Sequence, residues 1–450
     1  MTYFVSDQEK SKYVKPAREQ KVFYGVSVIF FFTLFVMPQY FGIPLPFFDL
    51  TVLRMTIIAV LLMIIADVRR SRNFWSLIRN AGFSKVLIPY FFVLLYTMVL
   101  RRDLNALLNP LIEILSLYLV IYVIVDSLGI EKTIKLVIAF SYLLTLLGIV
   151  EYVMGRSPFS YLETIKGIYT GAFVRSGNYR IMSSCVHSLG YGLLLVTIIP
   201  FACYDVENKK LNLMQRPMLM LLFIVNVFLT GSRSTLGIMF LELLLLFLAA
   251  DKENKRKCVF DLFFVIVLFG LFLMVGQKTG FGQYILLQIT TLIDTMFGTT
   301  LSVKYGGNLE ALSSSSFYRE QLKYIFRVSW LNPLIGIGRS RSFSSKINGC
   351  YIASVDNFYI AEYVRYAYPG MITYILFLVY WVIQMIKTAF GKQKSELSII
   401  LLIATVCYMI NLYSVDSLQT LKYLYILFAL QFCIQENGKC KTAESKYIRR

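Results

Sequence analysis

Histidine is almost missing from this chain: His187 is the one in 450 residues. That excludes a zinc site built on imidazoles and any catalytic pair of histidines. No DxD motif and no His/Asp cluster has metal-ligand spacing, so the expectation is chemistry without a metal or other cofactor. Cysteine is sparse as well. Of seven, none forms a CxxC pair and only Cys350 falls in the one long hydrophilic stretch, which leaves no disulfide framework. Acidic residues number 26 against 45 Lys and Arg, a net charge of +19. In a soluble protein that surplus would suggest a nucleic-acid partner, but its distribution argues otherwise. A small-residue cleavage site is also lacking around the first apolar run, which follows the polar residues 1–21, and no cleavable signal is expected.

What the chain has in quantity is apolar side chain. Hydrophobic residues make up 57% of it. Repeated apolar runs of roughly 18 residues predict an all-α polytopic membrane protein. Twelve spans are expected, at 22–42, 48–67, 86–100, 106–125, 134–154, 182–204, 217–230, 233–250, 258–276, 370–388, 397–413 and 418–435. Lys and Arg cluster between them. The N-terminal segment and 68–85 hold five each, 205–216 three, 251–257 four, 387–394 three and the C-terminal segment five. These are alternate connections, and such a bias marks the cytoplasmic side. Both termini are therefore expected inside, which accounts for the net charge without nucleic acid. The chain then divides into helices over 1–276, a large external loop over 277–369, helices over 370–435 and a cytoplasmic tail over 436–450.

Cations on the external side run against that bias, which makes them candidates for anion binding. They include Arg101, Arg102, Arg156, Lys166, Arg175, Arg180 and Arg233, with nine more in the loop. Gly231-Ser232-Arg233-Ser234 opens a span, where Ser232 or Ser234 can cap the helix and its free N–H groups favour an anion. A snorkelling arginine beside an ordinary cap reads the same way. In the loop a helix is expected over Phe317–Trp330, with Ser313–Ser316 as the turn before it. Arg319, Lys323 and Arg327, four apart, would share one face of that helix. Asn332-Pro333 would end it, Gly336 and Gly338 would permit a tight turn, and Arg339 and Arg341 follow. The result is a basic groove for a diphosphate or an acidic glycan.

The base candidates are His187, Asp356 and Glu362. His187 could equally be a packing residue and Asp356 a helix cap. Glu113, Glu151 and Glu242 fall in spans, where an ionisable group is costly, and Arg54 and Lys422 are expected to pair with them. Twelve spans with both termini inside also suit a transporter, but no repeat is visible and the central connection is short.

Three motifs, in order, resemble the superfamily of O-antigen polymerases (Wzy-type) and O-antigen ligases. They are VRSGNYRIMSSCVHSLGYG entering a span, GSRS at the start of a later one, and an Arg-bearing helix leading to NPLIGIGRS and DNFYIAEYVRYAYPG. The likeness runs from about residue 130 onward. It implies a GT-C-like glycosyltransferase acting on undecaprenyl diphosphate-linked oligosaccharides outside the bacterial plasma membrane, with a flippase and a chain-length regulator as partners beside the membrane lipids. By that resemblance Arg175, Arg233 and Arg319 match the diphosphate-holding arginines, and Arg180, Arg327 and Arg339 stand in the same segments. His187 matches a histidine common in the first motif. Asp356 stands where the ligases carry the His of a His-Asn pair, a departure that favours polymerase over ligase.

Overall fold

Apolar sequence in a bilayer must satisfy its backbone N–H and C=O groups internally, and helices do so within one segment. The computed structural model describes residues 17–45, 48–169, 171, 173–175, 178–391, 394–417 and 419–448. It is mostly helical, 72%, and among the described residues four two-stranded antiparallel sheets lie between helices. Among the described residues three helices are long and apolar enough to cross a membrane: Gly82–Arg101, Asn105–Met154 and Phe358–Ala389. The second holds two expected spans: a π-helical turn at Ile124–Leu128 follows Asn105–Val123, and Gly129, at φ 72° and ψ 165°, breaks the path where Gly129–Met154 begins.

Other apolar helices are shorter, including Val52–Ile65, Pro217–Leu229 and Glu396–Asn411. The 14 residues of Val52–Ile65 extend roughly 21 Å against about 30 Å of hydrocarbon. The first expected span is cut short: its helix, Ala17–Phe35, ends well before residue 42, and a hairpin pairs Gly42–Ile43 with Leu50–Thr51. At the other end, Leu421–Ile448 remains helical through most of the expected tail.

Two cores form. The larger is an aromatic-rich bundle centre in which Trp381 stacks on Phe428, centroids 4.8 Å apart. The smaller gathers Leu322, Ile325, Ile337, Phe343, Ile352 and Val364. It gives the expected loop a packed interior of its own. That loop contains helices Gly280–Phe297 and Leu309–Gln321, a 3₁₀ turn Leu322–Arg327, and a hairpin pairing Ser345–Ile347 with Cys350–Ile352. Ser313–Ser316 lie inside the second helix rather than before it. Helix Phe358–Ala389 begins inside the expected loop and consists of two helices joined across a kink at Ala367, two residues before the expected boundary at 369.

Candidate functional site

A kink builds the site. Pro369 has no N–H to offer the carbonyl of Arg365, four residues earlier, and its ring crowds that turn. The helix breaks at Ala367, whose φ is 57°. The freed carbonyls are taken up by the glycine-bearing segment: Ile337 N–H donates to Val364 at 2.9 Å and Gly338 N–H to Arg365 at 3.0 Å. Gly336 must be glycine for this approach, because a Cβ would lie 2.0 Å from the Arg365 carbonyl oxygen. NPLIGIGRS and the YPG end of DNFYIAEYVRYAYPG are thus two halves of one joint.

Asp103 fixes the far side of that joint. Its carboxylate accepts from the N–H groups of Arg339 at 2.7 Å and Ser340 at 2.9 Å, and from the Ser340 hydroxyl at 2.7 Å. Burial pushes the Asp103 carboxyl up, but the hydrogen bonds from Ser340 and Arg339 outweigh it and hold it below its ordinary range. Arg101 adds bonds to the carbonyls of Gly336 (2.6 Å) and Ile335 (2.9 Å). Arg101 is therefore a loop anchor. Sequence reasoning missed Asp103 altogether: an Asp beside a helix start is ordinary, and nothing names a partner 236 positions away.

The joint walls a cavity of about 650 Å³. Into it come Arg180, His187, Arg319, Arg339, Arg341 and Asp356. Arg180 is 3% exposed, donates from Nε to the Thr230 carbonyl at 2.6 Å, and lies 5.0 Å over the Phe173 ring. Gly231 makes this possible: it adopts φ +59°, and a Cβ there would meet Arg180 Nε at 3.1 Å. The first two motifs therefore touch, GSRS supplying the glycine against which the motif-one arginine packs.

His187 precedes its helix rather than lying in it. The helix is Ser188–Ile198, and His187 Nδ1 accepts from the Leu189 N–H at 3.1 Å as its N-cap. Burial, then Arg180, push the imidazole down to about 4, with Asp356 pulling the other way. It is neutral near pH 7, and with Nδ1 accepting, the ring proton sits on Nε2. That leaves Nε2 to donate into the cavity that His187 lines. Asp356 is not a cap: Asn357 performs that task, its Oδ1 accepting from the Ile360 N–H at 3.1 Å. The Asp356 carboxylate accepts from the Ser354 hydroxyl at 2.8 Å.

Other predicted residues stand apart from the cavity wall. Arg233 donates to the Thr295 hydroxyl at 3.1 Å, and Ser232 caps its helix through the Thr235 N–H at 3.3 Å. Arg319, Lys323 and Arg327 do not share a face. The α-helix ends at Gln321 and the 3₁₀ turn has three residues per turn, so the four-residue spacing is lost. Lys323 pairs with Glu320 at 2.8 Å, and Arg327 is exposed over the Tyr324 ring. Arg175 belongs to the strand Val174–Arg175; its side chain lies outside the described residues.

Glu362 lies beneath the cavity, 2% exposed, accepting from Tyr90 at 3.1 Å and Arg365 at 3.3 Å. Arg365 is also ion-paired with Asp416. Arg339 reaches Glu113 at 3.4 Å and Glu362 at 3.9 Å. Burial opposes its charge, yet Glu113, Tyr366 and Glu362 hold it well above the ordinary arginine range. Of the cavity's arginines, Arg339 and Arg365 already have carboxylates. Glu151 accepts from Tyr179 and from the N–H groups of Met182 and Ser183, and neither oxygen of Glu242 has a hydrogen-bond partner among the described residues. Arg54 does not pair with these acids; it donates to the Asp49 carbonyl and to Asn109. Compared with known proteins, the chain matches no family model and no curated sequence.

Proposed function

We propose that this chain is a glycosyltransferase that polymerises undecaprenyl diphosphate-linked oligosaccharides at the outer face of a bacterial plasma membrane, with both termini cytoplasmic. O-antigen, capsule or exopolysaccharide would be the product. One observation carries the reading: Arg180, Arg319 and Arg341 converge with His187 and Asp356 on a single cavity. Cations and one carboxylate are what displacement of a diphosphate needs.

In that displacement Asp356 takes the proton from an acceptor hydroxyl, whose oxygen attacks the anomeric carbon of the lipid-linked sugar. The bond from that carbon to the diphosphate oxygen breaks, and its electron pair stays on the diphosphate. Arg180, Arg319 and Arg341 offset the charge that develops there, Arg180 being held in place by its bond to the Thr230 carbonyl. His187 donates from Nε2 to a phosphate or sugar oxygen. The Phe358 end of its helix leaves Asp356 free for the base role because Asn357 does the capping.

The test is purified full-length protein in detergent with a lipid-linked repeat unit. Wild type builds a ladder of products. Asp356→Asn elutes as folded protein and loses at least about 100-fold in rate, the size of a lost general base. Arg319→Ala loses a similar factor, while Arg319→Lys keeps part of it because charge survives without the fork. If wild type makes no ladder but moves the lipid across sealed vesicles, the chain is a flippase and this reading fails.

A further inference from the structure

A second cavity, about 370 Å³, adjoins the first and shares Arg339 as its wall. Its charged lining is Arg54, Arg339 and Lys422 against Asp49 and Glu113. Lys422 is 8% exposed, at the start of the Leu421–Ile448 helix. Among the described residues its amine forms no ion pair; its near neighbour is the Tyr423 ring, 4.9 Å away. Arg54 likewise ends on neutral oxygens, donating to the Asp49 carbonyl at 2.6 Å and to Asn109 Oδ1 at 2.9 Å. Glu113 is taken by Arg339.

A buried ammonium without a counterion is expensive unless it sheds its proton, and an anion seated in the cavity would keep Lys422 charged. Arg339 is offset by Glu113, so Arg54 and Lys422 remain against the one carboxylate of Asp49, a surplus of one positive charge. A diphosphate, with two or more negative charges, would leave the cavity net negative beside Asp49 and Glu113. A single carboxylate balances it. The amides of Gln39, Asn105, Asn109 and Gln419 complete the wall with donors and acceptors suited to hydroxyls.

We infer that this cavity binds a carboxylate-bearing sugar, so that the glycan handled next door contains a uronic-acid-type residue. The inference rests on the proposed glycosyltransferase reading and narrows its substrate. Arg339, common to both cavities, would place the acidic residue one side chain away from the reacting sugar.

The probe is a tetrasaccharide of alternating glucuronic acid and N-acetylglucosamine, compared with its methyl ester, on full-length protein in nanodiscs. Wild type should bind the acid about 10-fold more tightly than the ester, the effect of one charge-assisted contact. Lys422→Met should erase that difference and Lys422→Arg should keep it. Arg54→Gln serves as the second variant should Lys422→Met fail to elute as a monodisperse species, and it too should erase the difference. Arg319→Ala, which alters the other cavity, should leave it unchanged. Equal binding of acid and ester by wild type overturns the inference. So does displacement of the acid by an equal concentration of inorganic pyrophosphate, which would make this a phosphate site. Binding of undecaprenyl diphosphate to the same nanodiscs, with its loss in Arg319→Ala, tests the glycosyltransferase reading separately.

Discussion

His187 can be followed by itself, because no other histidine shares its resonances. Its folded value of about 4 lies below the ordinary 6.5, so the neutral ring is the form the fold holds. The sign follows. The unfolded chain binds the proton first as pH falls, so His187's contribution is complete above about 6.5 and is lost progressively between there and 4. Imidazole signals in a labelled sample should therefore stay fixed from pH 8 to pH 5, with the proton on Nε2, and move only near 4. A midpoint near 6.5 would mean that the cavity is wetter than its packing against Phe173 and Arg180 implies. Asp356 is the complementary case. Its neighbour takes over the helix cap, so replacing it with Asn tests proton transfer with little structural cost.

At the scale of elements, the joint between residues 335–340 and the helix break at Ala367 decides where the arginines point. Asp103→Ala should leave the N–H groups of Arg339 and Ser340 without their acceptor, at about 1–3 kcal/mol of stability. Gly338→Ala should also cost at least about 1 kcal/mol, because φ is +87° and the new Cβ would lie 2.3 Å from Asp103 Oδ2. Thermal unfolding of the detergent-solubilised protein reads both. Asp103→Asn should fall between wild type and Ala, and an Asp103→Ala protein as stable as wild type would show that the joint stands without it. Much of this joint was visible in the sequence as pieces. The glycines of NPLIGIGRS announced a tight turn, and Pro369 announced a break. What the sequence could not say is that the carbonyls released by one are claimed by the other, since that pairing is tertiary. The same limit hid the shift from α to 3₁₀ at Leu322. Spacing of four is legible in a sequence, but the change of pitch is set by Leu322 and Ile325 turning into the smaller core. Arg180, His187, Arg319, Arg339 and Asp356 could be picked out singly by charge against bias or by rarity; that they face one cavity, and that Arg339 is already neutralised there, needed the fold.

For the whole molecule the outstanding question is which way it sits in the bilayer. The helix Glu396–Asn411 is a useful ruler. At its start, Glu396 accepts from the Leu211 N–H at 2.5 Å, beside the hairpin that carries Lys209. Just past its end, the Tyr413 carbonyl accepts from Asn357 at 2.8 Å, beside the cavity. Its 16 residues separate the two by roughly 24 Å at the helical rise. The cavity and the Lys209 hairpin are thus at opposite ends of the bundle, and the proposed orientation, which rests on the Lys and Arg excess, puts the hairpin on the cytoplasmic side. Cys350, partly exposed on its own hairpin, then reports the outer face. In a background with Cys258 and Cys440 changed to Ser, an impermeant maleimide on intact spheroplasts should label Cys350. Lys209→Cys and Asn254→Cys should be labelled only after lysis, while Cys185, Cys203, Cys407 and Cys433 are buried and should stay silent in the folded protein. Labelling of position 209 or 254 on sealed cells would invert the bundle. The basic cavity would then face the cytoplasm, away from an acceptor chain growing outside, and polymerisation at the outer leaflet would have to be abandoned.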